Sequence, residues 1–335
     1  MADERELGVG VVGMGVRGQH AYHHALAAQP GVRLTRMAPH PGSSPVLLEG
    51  HGRAFFEEEA ATFGALLCDD PEDVVGADDV DIVCVLVEPS LAFDVIRRSV
   101  AAGKHICRDK PMVLTAEEAD ATVCLVEAAG LKMTVGWGAY RFSPACIELK
   151  SQVDRGDVGE VGVVDFLMPW GGGPLAGFTC SPDHHERYGG GEVHNFGGYA
   201  LMFIRWLLGR DRPIRRVWAQ MGTFFYPDYA AAGNEDLASM AFEFEDGAVA
   251  HVVTGRLPAA CGQVVDLRVV GTGGELHIHG FPTGGMGEVV GGLVRAIRDG
   301  GRPPIDHRDG RAIHRALLAT YESARTGTPA PLPPL

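Results

Sequence analysis

A short apolar stretch, Gly8 to Val12, runs directly into Gly13-Met14-Gly15-Val16-Arg17-Gly18 and then into a helical spacing that lasts to about Gln29. Glycine at the first, third and sixth positions of a strand-to-helix turn constrains this chain more than any other feature, because each glycine answers a steric need. Gly13 makes the tight turn, Gly15 lets backbone approach a diphosphate, and Gly18 lets the helix pack on the strand. The helix start that follows offers free N–H groups to phosphate oxygens. The pattern predicts a βα unit that opens a parallel sheet, with Gly13, Met14, Gly15, Val16, Arg17 and Gly18 as a dinucleotide cradle.

The strand at Val32 to Ala38 ends in Pro39-His40-Pro41-Gly42-Ser43-Ser44, where an acidic residue would ordinarily hold an adenosine ribose. With no carboxylate in the sequence there to repel a 2′-phosphate, NAD and NADP both stay open. His40 and Ser43 are candidate phosphate partners, and a plain surface turn is the alternative. Pro45 to Arg53 reads as an irregular insertion before a helix at 54–62. After a short strand at 65–68, Asp81 to Val87 is a continuous apolar run of the kind buried on both faces of a parallel sheet. It ends at Glu88-Pro89-Ser90, which places Glu88 and Pro89 at the cofactor crevice. A helix from Leu91 to Ala102 closes at Gly103. The strand His105 to Cys107 then delivers Asp109-Lys110-Pro111 to the carboxyl end of the sheet, where ligands bind in open α/β folds. A helix at 116–129 and a strand at 132–136 complete this half.

The second half changes period. Ser143-Pro144 marks a helix start, an N-cap serine with proline at the first helical position. A strand from Val161 to Met168 opens a glycine- and proline-rich loop from about Pro169 to Gly191, and loops of that length are usually functional or mobile. Glu192 to Leu208 has helical apolar spacing, and antiparallel strands follow from Ile214, with Asp246-Gly247 as a hairpin turn. Helices at 286–299 and 308–326 precede a proline-rich tail. The fold class is α/β: an N-terminal Rossmann domain over 1–136, then an α+β domain over 137–335 for substrate binding and oligomerisation. The second domain carries a large, mainly antiparallel sheet with one open face.

Length and composition agree with this. A chain of 335 residues predicts about two domains. The net charge of −14, with no basic run, argues against nucleic acid and anionic membranes as partners. The acidic start lacks a secretory pattern, and seven dispersed cysteines without a Cys-x-x-Cys argue for reduced thiols in a cytoplasm. His184, His185, Glu186 and His194 fit no zinc spacing, and hydride chemistry needs no metal, so none is expected. His277 and His279 read as one solvated strand face.

Ordered together, several motifs carry a resemblance. They are the glycine turn at 13–18, Asp109-Lys110-Pro111, Arg141-Phe142-Ser143-Pro144, Gly189-Gly190-Gly191, Asn195, Gly197 and Tyr199, Trp206-Leu207-Leu208-Gly209, and Tyr321-Glu322-Ser323-Ala324. In these the chain resembles the Gfo/Idh/MocA oxidoreductases over nearly its whole length. The resemblance implies that Lys110 touches the nicotinamide ribose and the reacting oxygen. Where that family often has an aspartate and a histidine four residues apart, this chain has Asn195 and Tyr199, and Phe93 replaces a histidine after the fourth strand. The departures bear on the proton-transfer residue more than on the cofactor site.

Asn195 and Tyr199 at i and i+4 would share one helix face. Tyr199 could accept a hydroxyl proton if its pKa fell two or three units, which requires roughly 3 to 4 kcal/mol. A lysine ammonium at about 4 Å supplies that much at an effective dielectric near 20. Lys110, Tyr199 and Asn195 are therefore the expected catalytic set, with Arg141, His185 and His194 as further substrate contacts. The expected activity is NAD(P)-dependent hydride transfer on a secondary alcohol or ketone of a sugar, cyclitol or polyol. The partner would be such a small molecule, and the assembly a homodimer or homotetramer through the open sheet face if that face stays apolar. The alternatives are an NAD-using glycoside-cleaving relative and a non-catalytic dinucleotide sensor.

Overall fold

A computed structural model describes residues 5–13, 20–45, 52–174, 179–280 and 285–332. The chain forms two compact units, Met1–Trp137 with Met286–Arg311, and Gly138–Gly285 with Ala312–Leu335.

The first unit alternates strand and helix: β1 Leu7–Val12, α1 His20–Ala27, β2 Val32–Ala38, α2 Arg53–Phe63, β3 Leu66–Leu67, α3 Glu72–Val75, β4 Ile82–Val85, α4 Pro89–Ala101, β5 His105–Arg108, α5 Ala116–Ala128 and β6 Met133–Val135. The strands lie in the order β3-β2-β1-β4-β5-β6, all parallel. Strand order reverses between β1 and β4, the switch point where doubly wound sheets bind ligands. All six residues of β1 are buried, as a central parallel strand with both faces covered requires. Thr115 caps α5 in a full capping box with Glu118.

The second unit contains α6 Pro144–Arg155, β7 Val161–Gly171, α7 Pro182–Tyr188, α8 Gly198–Leu208, β8 Ile214–Gly222, α9 Pro227–Ala231, β9 Leu237–Phe244, β10 Val249–Leu257, β11 Asp266–Gly271 and β12 Gly274–His279. After α10, Met286–Asp299, come α11 His307–Thr326 and β13 Ala330–Pro331. The sheet order is β12-β11-β7-β10-β9-β8-β13, antiparallel throughout except for the parallel pair β7–β10. One face of this sheet buries Val164, Phe166, Leu267, Val252, Met240 and Phe242, and Phe166 packs 5.6 Å from Phe203 of α8.

Three local expectations change. The stretch 169–191 is not all loop: β7 continues to Gly171, and Ser181 caps α7 through a bond from the Asp183 N–H. The helix expected from Glu192 begins instead with a π-helical turn, Val193–Gly197. Residues 286–311 fall in the first unit, where a sequence division at 136/137 leaves them in the second. The cause is the apolar stripe of α10, whose Val290, Leu293 and Val294 join Val9, Leu26 and Leu34 in one core. Among the described residues no helix is long and apolar enough to cross a membrane.

Candidate active site

At the cofactor end of the first unit, Gly13 follows β1 at φ 76°, and a Cβ there would meet Leu86 O at 2.7 Å. Only glycine tolerates both the dihedral and the contact, which fits the first turn of a dinucleotide loop. Met14, Gly15, Val16, Arg17 and Gly18 lie outside the described residues.

The end of β2 is built differently from the sequence reading. Glu88 is 2% exposed at the N-cap of α4, with Pro89 beginning the helix. Its carboxylate accepts hydrogen bonds from Ser43 Oγ at 2.9 Å and from the Ser44 N–H at 2.6 Å. A carboxylate thus does reach the turn after β2, delivered from the end of β4. The Ser43 hydroxyl is directed to that carboxylate, which departs from its expected role as a phosphate donor. His40 accepts at Nδ1 from the Gly42 N–H at 3.1 Å and lines a cleft with Asp70, Glu72, Asp94 and Arg98. Three carboxylates against one guanidinium make that cleft a poor home for a further phosphate.

Lys110 is half-buried after β5 and precedes a cis peptide to Pro111. Its neighbour Asp109 is buried, and the turn is held by Arg108, fully buried. Arg108 donates to Val85 O at 3.0 Å, Pro111 O at 2.8 Å and Met112 O at 3.0 Å. A buried guanidinium must find acceptors, and here three carbonyls bind the end of β4 to the Lys110 turn.

In the second unit, chemistry gathers at the π turn. Glu192, fully buried, accepts from Asn195 Nδ2 at 3.1 Å, Tyr229 OH at 2.6 Å and Arg256 Nε at 3.1 Å. Arg256 in turn lies 4.9 Å from the Phe196 ring centre, and Phe196 stacks on Trp170 at 5.5 Å. The Tyr229 phenol accepts from Thr179 Oγ1 at 2.6 Å, and burial together with the Glu192 charge holds its pKa well above the usual tyrosine value. A second buried carboxylate, Glu235, accepts from the Gly191 and Val193 N–H groups at 3.1 and 2.8 Å and from Tyr321 OH at 2.8 Å. These bonds hold the start of the π turn. Burial outweighs them and raises the Glu235 pKa.

Tyr199 is half-buried, its ring 5.2 Å from Tyr140 and 6.3 Å from Phe196. It lines an apolar pocket with Tyr140, Phe166, Met168, Phe203 and Leu267. Burial pushes the Tyr140 phenol up to about 12, so this apolar wall disfavours the Tyr140 phenolate.

The remaining expected contacts scatter. His185 is exposed and donates from Nδ1 to Asn234 Oδ1 at 2.9 Å. His194 is 1% exposed and stacks on Tyr321 at 5.0 Å, inside the unit where a substrate-facing ring was expected. Arg141 is 8% exposed with its guanidinium 5.7 Å from the Trp206 ring, so it too is drawn into packing. Sequence reasoning passed over Glu192, Trp170, Arg256 and Glu235. One signal was available for Arg256: it falls in step with Ala250, Val252 and Thr254 on the buried face of β10.

Comparison with known proteins places the chain. A family model described as an oxidoreductase family with an NAD-binding Rossmann fold matches residues 7–137, and the GFO/IDH/MocA C-terminal domain matches 146–277. The scyllo-inositol 2-dehydrogenase (NAD(+)) of Bacillus subtilis is 26% identical over 276 residues, 82% of this chain and 74% of that protein. The D-xylose 1-dehydrogenase (NADP(+)) 2 of Haloferax volcanii is 27% identical over 282 residues, 76% of this chain and 82% of that protein. The structure of scyllo-inositol dehydrogenase from Lactobacillus casei, with NAD(H) and scyllo-inositol bound, superposes at a TM-score of 0.82 and 22% identity, covering 98% of this chain and 99% of that one. That likeness establishes the fold. By its two domain matches, the chain belongs to the GFO/IDH/MocA family of oxidoreductases.

Proposed function

We propose that the protein is a dehydrogenase that moves a hydride between a nicotinamide dinucleotide and the secondary alcohol or ketone carbon of a cyclitol or sugar-like polyol. The observation that carries this reading is the buried Glu192 carboxylate, which holds the Asn195 amide nitrogen at 3.1 Å one turn before Tyr199. An amide whose Nδ2 donates to a carboxylate offers its Oδ1 as an acceptor, the type of group that binding a substrate hydroxyl requires. The substrate class follows from the relatives' names, an inositol and a xylose dehydrogenase.

When bound, the nicotinamide supplies the hydride acceptor. Tyr199 takes the hydroxyl proton as the C–H bond breaks and a ketone forms. Lys110 holds the negative charge that develops on the oxygen and favours the phenolate. Of the two cofactors the reading prefers NAD, because the Glu88 carboxylate at the end of β2 would repel a 2′-phosphate. The assembly would be a homodimer or homotetramer in which a second copy covers the open sheet face.

An initial-rate assay of NADH formation over a panel of inositols and pyranoses tests the proposal, with wild type beside Lys110→Met. Wild type should reduce NAD+ with at least one member of the panel. Lys110→Met should lose turnover while binding NAD+ as before. If all four nicotinamide dinucleotides failed to bind, the reading would be abandoned.

A further inference from the structure

On the open face of the second unit's sheet, residues directly opposite in register form rows. One row runs Trp218, Ala241, His251, Asp165, Arg268 and His277, and the next Gln220, Ser239, Val253, Leu167, Asp266 and His279. His277 and His279 are two residues apart on β12, so their imidazoles leave the same side of the strand. Asp266 on β11 is the direct cross-strand partner of His279 and diagonal to His277.

The three side chains converge. Asp266 Oδ1 lies 2.6 Å from His277 Nε2 and 2.8 Å from His279 Nδ1, and the two rings are 3.8 Å apart. All three donor atoms lie within 4.8 Å of one another. Tetrahedral zinc, with bonds of about 2.0 to 2.2 Å, needs ligand atoms about 3.3 Å apart, so a small rotation of the side chains admits the ion. Side-chain exposures of 39% for His277 and 72% for His279 leave the ion a path from solvent. The other charges beside them on this face are already paired, Arg268 with Glu275 and His251 with Asp165.

From this geometry we propose that Asp266, His277 and His279 form a binding site for a late first-row divalent cation, with Zn2+ as the representative ion. Two imidazoles and one carboxylate are a borderline donor set that suits Zn2+, Ni2+ or Cu2+ and excludes Mg2+ and Ca2+. Three protein ligands leave a fourth position to water, as in open zinc sites. The ion would tie the edge strand β12 to β11 beyond what their shared ladder provides. The site involves none of the residues proposed for hydride transfer. A second histidine pair, His23 and His24 on Glu59, lies in the first unit and has one imidazole fully buried, so it serves as the control.

The test is calorimetric titration of untagged, chelator-treated full-length protein with ZnCl2, followed by elemental counting after gel filtration. Wild type and His24→Ala should each retain one Zn2+ per chain that the His277→Ala/His279→Ala double variant lacks. Asp266→Asn should weaken that ion at least tenfold while leaving NAD+ binding unchanged. Zinc should raise the thermal midpoint of wild type and not of the double variant. Equal stoichiometry in wild type and the double variant would overturn the proposal and leave the three residues as ordinary ion pairs. So would a Zn2+ affinity in Asp266→Asn equal to that of wild type.

Discussion

Tyr199 is pulled in two directions by its surroundings. Its half-buried ring lies against Tyr140 and an apolar pocket, while the proposed chemistry uses the charged phenolate. The proposed function gives the compensating positive charge to Lys110. Removing the hydroxyl keeps the packing and deletes the proton acceptor. Tyr199→Phe should lower kcat by about 100- to 10,000-fold with KM for the polyol little changed, read from steady-state kinetics. Glu88 supports a second prediction at this scale. Glu88→Gln keeps an acceptor for Ser43 and Ser44 but removes the charge, so the NADP+ to NAD+ affinity ratio should rise about tenfold, or ~1.4 kcal/mol, in a fluorescence titration. An unchanged ratio would show that the carboxylate does not set cofactor choice.

At the scale of elements, the π turn depends on buried charge brought from other parts of the second unit. The Glu192–Arg256 pair is 0% and 4% exposed, so removing one partner strands the other. Arg256→Met should destabilise the protein by about 3 to 5 kcal/mol in urea denaturation, with the Glu192 carboxylate that holds Asn195 left without its cation and turnover reduced. Glu235 sets a pH dependence. Its pKa is raised in the fold, so the native state holds the proton more tightly than the unfolded chain does. The stability it contributes is fully present below the ordinary glutamate pKa of about 4.3 and declines as pH rises through the higher folded value. Glu235→Gln should flatten the stability curve in that window, and melting points across the pH range will show whether it does. Some of these elements were legible and some were not. Ser143 caps α6 and Thr115 with Glu118 caps α5, as local chemistry predicts. The same Ser-Pro signature at Ser181-Pro182 starts α7 inside a stretch dense enough in glycine and proline to read as loop. The π turn has no local signature, because its geometry follows from Glu235 bonding Gly191 and Val193 across 44 and 42 residues of sequence.

At the scale of the whole molecule, the proposed oligomer would use the open sheet face. Its central strands pair Val163 with Val249 and Leu167 with Val253, with the His251–Asp165 pair between them, and Trp218 stands 62% exposed toward one side. Toward the other edge it is charged, through Arg268, Glu275 and the two histidines of β12. The condition attached to the oligomer expectation, an apolar face, is thus met only in part. A second copy would bury the central strip and Trp218, so Trp218→Glu should shift sedimentation toward a smaller species without changing the fold by circular dichroism. A variant that sediments as wild type would move the interface elsewhere.

What the sequence determined by itself was whatever depends on neighbours along the chain. The turn at Gly13, the alternation of strand and helix, the caps, the parallel sheet and the placement of Lys110 after β5 all follow from local sterics and hydrophobic period. The tertiary structure alone decided what depends on residues far apart. It sent α10 back to the first unit's core, brought Glu88 to the turn after β2, gathered Glu192, Arg256 and Tyr229 around Asn195, and set Asp266 opposite His279. Each of these is a pairing whose energy appears only when distant segments meet, and no periodicity along the chain encodes which partner a buried charge will find.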